Sequence, residues 1–219
     1  MTLIALDLDG TLEDSRADMV GAVVRIRQRL GLDTRSAHEF HDHVNRGMDH
    51  LYRFCFSEYL HEHGSEALAS LRTAYTAEYG AHIAENTVLY PGIRDAVIEL
   101  ATLGKLALVT NKPEGLSRQL ISELGLTAFF TAIVGGDTAS APKPSPVVLK
   151  EACRLTGRNE PVLMVGDSPG DIRCGQAFGA TTIWCAWGYH ESPGGLNPDR
   201  IARSPADLVG VVRGVLSCS

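Results

Sequence analysis

Several things this sequence lacks narrow its function before any motif is read. Its 219 residues hold five cysteines, Cys55, Cys153, Cys174, Cys185 and Cys218, an odd count with no Cys-x-x-Cys pair. That spacing offers neither a disulfide framework nor a zinc site, and fits small buried hydrophobes in a reducing cytoplasm. No apolar run approaches the roughly 20 residues of a membrane-spanning helix, so no membrane partner is expected. The opening Leu3-Ile4-Ala5-Leu6-Asp7 lacks the basic start and long apolar stretch of a secretory leader, and a cytoplasmic location is the expectation. Positive charge is in deficit, with 20 Lys and Arg against 26 Asp and Glu and a formal net charge of -6. No basic stripe is present, which excludes nucleic acid as an expected partner. Arg25, Arg27 and Arg29 alternate along one predicted helix and read as its solvated face. There is no internal repeat, no low-complexity tract and no signal for an oligomeric state.

What is present is the profile of a globular enzyme or binding protein, 44% hydrophobic and 21% charged. A chain of this length buries roughly 70% of the surface its unfolded form exposes, so its core needs no covalent staples. Short apolar runs at Leu3 to Leu8, Lys105 to Thr110, Val162 to Val165 and Thr181 to Trp184, with a shorter one at Ala132 to Val134, have the length of strands buried on both faces, although periodicity alone also fits a short buried helix. Helix-like stretches lie between them at Ile93 to Leu103, Glu114 to Leu124, Pro146 to Thr156 and Asp171 to Phe178. Alternation of this kind predicts an α/β fold, a doubly wound Rossmann-like parallel sheet, formed by residues 1–14 and 87–219. Residues 15–86 have helical periodicity and no strand-like run, with Met19, Val20, Val23, Val24 and Leu30 on one face and Leu68, Leu71, Tyr75 and Tyr79 on another. They predict an inserted helical cap domain, its first helix capped by Asp14 or Ser15. Tyr189 to Pro198 reads as a surface loop before a last helix.

Ligands of such sheets bind beyond the carboxyl ends of the strands, so the residues closing each run carry the chemistry. The first run closes Asp7-Leu8-Asp9-Gly10-Thr11. Side chains two apart on a strand point the same way, which would aim Asp7 and Asp9 into one pocket. Paired carboxylates need a cation or a shared proton, although Asp-x-Asp alone also fits an ordinary acidic turn. The second run closes in Thr110-Asn111, a hydroxyl and an amide suited to phosphate oxygens. Lys143 is held between Pro142 and Pro144, and the run ending at Val165 closes Gly166-Asp167-Ser168-Pro169-Gly170-Asp171. Carboxylates from two strands, with a lysine and a hydroxyl, make a site for a hard cation and a phosphate.

These four segments, in this order, resemble the motifs of the haloacid dehalogenase superfamily of hydrolases. Thr110-Asn111-Lys112-Pro113, Gly135-Gly136-Asp137 and Trp187-Gly188-Tyr189 are most similar to its phosphoglycolate phosphatase branch. The resemblance implies a magnesium-dependent phosphatase acting on a small phosphorylated substrate, 2-phosphoglycolate, through an aspartyl-phosphate. By the same resemblance Asp7 is the nucleophile and Asp9 the general acid and base. Asp7, Asp167 and the backbone carbonyl of Asp9 hold Mg2+, with Asp171 supporting them. Thr110 and the Asn111 amide bind phosphoryl oxygens, and Lys143 neutralises Asp7 and the transferring group. The second aspartate favours phosphoryl transfer over carbon–halogen cleavage. Rivals on the same fold are an inorganic pyrophosphatase and a sugar-phosphate phosphatase or mutase; a non-catalytic phosphate-binding module is the rival of another class.

Outside these motifs, Arg46-Gly47 in a cap loop is a candidate contact for an anionic substrate, beside a solvated-loop reading. Glu13 stands in the hinge to the cap where an apolar residue is usual in the family. The cap is expected to close over the substrate and add selectivity. His38, His41, Asp42 and His43, with His61 and His63, read as solvated rather than as a metal site. Trp184 and Trp187 read as packing. Lys112, next to Asn111, is a rival to Lys143 for the charge-neutralising role, but its place directly beyond the phosphate-binding pair reads as that of a rim or partner residue.

Overall fold

A computed structural model describes residues 2–33, 36–44, 47–158 and 162–217. The chain opens with β1 (Thr2–Leu6), passes β2 (Glu13–Asp14) and enters α1 (Arg16–Arg29), α2 (Ala37–His41), α3 (Met48–Cys55), α4 (Ser57–His63) and α5 (Ala67–Ala81). It continues through β3 (Val88–Leu89), α6 (Ile93–Leu103), β4 (Gly104–Val109), α7 (Glu114–Glu123), β5 (Phe130–Val134) and α8 (Val147–Thr156). Then come β6 (Val162–Gly166), α9 (Pro169–Phe178), β7 (Thr181–Cys185), β8 (Arg200–Ala202) and α10 (Pro205–Leu216). These elements form two compact units, one of residues 1–14 and 89–219, the other of 15–88.

Among the described residues of the first unit, six strands pair in the order β5-β4-β1-β6-β7-β8, all parallel. Period-2 alternation sorts the side chains of the inner strands. Leu3 and Ala5 of β1, Ala107 and Val109 of β4, and Val162 and Met164 of β6 share one apolar cluster with Val148 and Leu149 of α8 and Cys174 of α9. The intervening Ile4, Leu6, Leu106, Leu108, Leu163 and Val165 are buried too, and α6 packs on β4 and on α10. Helices cover both faces, so the inner strands read as continuous apolar runs and the fold is the expected α/β one. Each fully buried Leu or Ile is worth about 1.5–3 kcal/mol, and β1 is buried along its whole length.

The strand β8 is absent from the sequence expectations. It is a three-residue edge strand with Arg200 and Ile201 exposed, too short to show alternation. Its entry is fixed from the side, because Thr182 donates through its N–H (2.8 Å) and its hydroxyl (2.7 Å) to Asp199. The expected strand Leu3 to Leu8 stops at Leu6, so strand alternation is not what aims Asp7 and Asp9.

In the second unit Met19, Val20 and Val23 of α1 are buried, as are Leu71, Tyr75 and Tyr79 of α5, the helix α1 packs on. Ser15 takes the N-cap position of α1, but its hydroxyl reaches the Met19 sulfur instead of a backbone N–H. The arginine stripe is not one solvated face. Residues two apart on a helix diverge by about 200°, so Arg25 and Arg29 share Glu78 while Arg27 points elsewhere and is fully buried. The Arg27 guanidinium donates to the carbonyls of Asp33 and Cys55 and to both carboxylate oxygens of Glu58. It lies 5.3 Å from the centroid of Phe40. Asp18 joins the two ends of this unit, accepting from the Asn86 N–H and side-chain amide and from the Thr87 N–H and hydroxyl.

Candidate active site

The strand order places β1 between β4 and β6, so the segments beginning at Asp7, Thr110 and Asp167 leave the sheet side by side at its carboxyl edge. Asp7 still donates its N–H to Val165 O (2.9 Å), which keeps it in line with β6 although β1 has ended. The chain then turns at Gly10, whose φ of 82° suits glycine and whose missing Cβ would lie 2.4 Å from Asp167 Oδ2. A Cβ on Gly188 would come 2.2 Å from the Asp167 Cβ. Asp167 is thus gripped between two bare backbones. Its carboxylate accepts from the Thr11 hydroxyl (3.0 Å) and the Tyr189 N–H (2.7 Å).

Asp7, Asp167 and Asp171 are buried and each offers an oxygen within 4.8 Å of the others'. Lys143 Nζ lies 2.6 Å from Asp7 and 2.6 Å from Asp171. Asp171 is also the N3 residue of a capping box on α9, accepting from the Ser168 N–H and hydroxyl. Burial first, and then the charges of Asp171 and Asp167, push the Asp7 carboxyl well above its ordinary value against the pull of Lys143. Burial alone would lower Lys143; Asp171 and Asp7 outweigh it and raise it, so the ammonium stays charged. Three buried carboxylates therefore face one lysine with negative charge in surplus. Their all-oxygen donors fit a hard divalent cation, which would offset that surplus and favour the ionised form of Asp7.

The second anchor is the loop after β4. Thr110 is buried and donates its N–H to Val134 O (3.0 Å). The Asn111 side chain clasps the backbone of Lys143, donating to its carbonyl (3.0 Å) and accepting its N–H (2.8 Å). Asn111 thereby sets where the lysine loop lies, a role the sequence did not announce. Lys112 is not a rim residue. It is buried, with Nζ 2.5 Å from Asp9 Oδ1, so each aspartate of the first motif is paired with a different lysine.

Of the remaining candidates, Gly47 is the N-cap of α3 with φ 97° in the helical unit, and Arg46 lies outside the described residues. His190 went unnoticed in the sequence; its Nδ1 is 3.7 Å from Asp167 Oδ2, and no local pattern marks it. Glu13 is fully buried in β2, and Trp187 donates to the Thr11 carbonyl (3.1 Å), bracing the turn after Asp9. His38, His61 and His63 are exposed, whereas His43 stacks on Phe54 and lies 3.0 Å from His50. Cys174, beside the lysine loop, donates to Ser145 O, and burial pushes its thiol up to about 12, an inert state. No described helix is long and apolar enough to cross a membrane.

Known proteins are similar to this chain over most of its length. A phosphoglycolate phosphatase of Chromobacterium violaceum is 33% identical over 213 residues, covering 96% of each chain. One from Aquifex aeolicus is 34% identical over 95% of each. The crystal structure of a predicted phosphoglycolate phosphatase from Haemophilus somnus superposes with a TM-score of 0.84 at 24% identity, covering 95% of this chain and 96% of that one. A family profile for haloacid dehalogenase-like hydrolases matches residues 4–185, a span that takes in Asp7, Thr110, Lys143, Asp167 and Asp171, and the chain belongs to that hydrolase family.

Proposed function

We propose that the protein is a magnesium-dependent phosphatase that hydrolyses a small phosphomonoester, 2-phosphoglycolate, through an aspartyl-phosphate on Asp7. The observation that carries this reading is the placement of Asp7, a buried carboxylate 2.6 Å from Lys143 and grouped with Asp167 and Asp171, at the end of the central strand. The substrate rests on the full-length similarity to phosphoglycolate phosphatases.

In this reading an Asp7 oxygen attacks phosphorus, the bond from phosphorus to the leaving oxygen breaks, and Asp9 gives that oxygen its proton. Asp9 then takes a proton from water, whose oxygen attacks phosphorus as the bond to Asp7 breaks and inorganic phosphate departs. Thr110 and the Asn111 N–H hold phosphoryl oxygens, and Lys143 keeps its charge against Asp7 throughout. Asp7, Asp167 and the Asp9 carbonyl would hold magnesium, with Asp171 supporting them; when bound, the ion offsets charge gathering on the phosphoryl group.

Phosphate release from 2-phosphoglycolate, pyrophosphate, hexose phosphates and nucleotides, with magnesium and with excess chelator, tests the proposal. 2-Phosphoglycolate should rank first and chelation should stop turnover. A ranking led by pyrophosphate or a hexose phosphate, or undiminished turnover in chelator, refutes it.

A further inference from the structure

Lys112 is a buried charge beside Asp9 that the mechanism above leaves unused. Its residue is 5% exposed, although it sits on a loop, and its ammonium lies 2.5 Å from Asp9 Oδ1. Burying an ammonium costs several kcal/mol unless an anion compensates it, so a lysine held this way is a fixed feature and not a wandering surface charge. The backbone bears this out. The Lys112 N–H donates to the Thr110 hydroxyl oxygen (3.2 Å), and its carbonyl accepts from the Gly136 N–H (3.0 Å) and the Ser117 hydroxyl (3.4 Å). Gly136 approaches so closely that a Cβ there would stand 2.4 Å from Asn111 O. The Gly135-Gly136 turn thus locks the loop that presents Lys112.

The two buried lysines divide the site. Lys143 serves the side of Asp7 and Asp171, where phosphorus is attacked, and Lys112 serves the side of Asp9. The Asp9 side chain is 20% exposed and that of Asp7 only 9%, so the Asp9 side is the more open of the two. In the reaction proposed above, on which this inference rests, Asp9 protonates the leaving oxygen. The leaving group therefore lies against Asp9, and within reach of the ammonium that touches it.

We infer that Lys112 is a specificity-determining residue whose ammonium receives a carboxylate on the leaving group, one carbon removed from the ester oxygen. A phosphate ester that also bears a carboxylate brings extra negative charge into a site already holding Asp7, Asp9, Asp167 and Asp171. Without a cation on the leaving-group side, repulsion would disfavour it relative to a phosphate ester of equal length whose leaving group is uncharged. Lys112 reverses that preference.

The test compares kcat/KM for 2-phosphoglycolate with kcat/KM for ethyl phosphate, which has the same chain length and no carboxylate. Wild type, Lys112→Gln and Lys112→Arg are measured at saturating magnesium. The wild-type ratio should favour 2-phosphoglycolate. Lys112→Gln should lower it about 10- to 100-fold, the size of a lost charge-assisted hydrogen bond. Lys112→Arg keeps the charge but moves it, and should lower the ratio at least about threefold. If both rates fall in parallel and the ratio holds in both variants, Lys112 only positions Asp9 and the inference is wrong. A wild-type ratio near one overturns the substrate reading as well, and is seen before any variant is made. Should Lys112→Gln fail to fold, the Lys112→Arg ratio decides.

Discussion

Both units of this protein bury charge, and they treat it in opposite ways. In the helical unit Arg27 is fully buried, yet its guanidinium is met by two backbone carbonyls and a bidentate Glu58. Asp18 is likewise met from the Asn86 and Thr87 backbones and side chains. These charges are saturated by the unit's own structure. At the carboxyl edge of the sheet, Asp7, Asp167 and Asp171 crowd around Lys143, and Asp7 is pushed away from its ionised form. That cluster is left in electrostatic deficit, as a site must be if a cation and a phosphate are to complete it. Saturated buried charge holds structure; unsaturated buried charge, kept at the expense of stability, marks function.

Changes that remove one charge from each region sharpen the contrast. Asp7→Asn should cut turnover about 10^4-fold or more, as loss of a nucleophile does, while the melting temperature holds or rises because a repelling carboxylate has gone. A clear drop in melting temperature would place Asp7 with the structural charges. Lys143→Met should remove most activity and also destabilise, by about 3–5 kcal/mol, because it leaves Asp7 and Asp171 buried with no ammonium between them. Denaturant melts with and without magnesium would read this, and the loss should shrink when the ion is present.

In the helical unit, unlike at Asp7, removing either charge should destabilise. Arg27→Leu should cost about 3 kcal/mol by leaving the Asp33 and Cys55 carbonyls unmet; a neutral result would mean that the pairing with Glu58 merely breaks even. Asp18→Asn should cost about 1–3 kcal/mol at neutral pH, since an amide cannot accept from every donor that Asn86 and Thr87 present. Burial would raise the Asp18 carboxyl, but those hydrogen bonds prevail and hold it below its ordinary value of 3.8. Its stabilisation is therefore complete above 3.8 and is lost as pH falls through the lower folded value. The gap between wild type and Asp18→Asn should close in acid, and a gap that widened there would contradict the assignment.

The inner sheet was legible in the sequence because strands covered on both faces must be apolar throughout, and Leu3 to Leu6 or Val162 to Val165 admit no polar residue. The motif residues were legible because the chemistry sits where those runs stop. Other features were not. The strand β8 owes its place to Asp199 gripping Thr182, a contact across 17 residues that leaves no periodic mark. Arg27 was misread because counting arginines two apart ignores the helical rotation that sends them to different faces. Lys112 looked like a rim residue because it stands directly beyond the phosphate-binding pair. Its burial depends on the Gly135-Gly136 turn pressing backbone against backbone, which only the fold brings about.

In the proposed function, the charge deficit around Asp7 serves to make it a nucleophile. Brief reaction with 2-phosphoglycolate carrying a radiolabelled phosphoryl group, followed by acid quench and peptide mapping, tests that directly. Label is expected on the peptide containing Asp7 in the wild type and none in Asp7→Asn. Label that never appears on Asp7, together with an Asp7→Asn variant that keeps most of its activity, would contradict it.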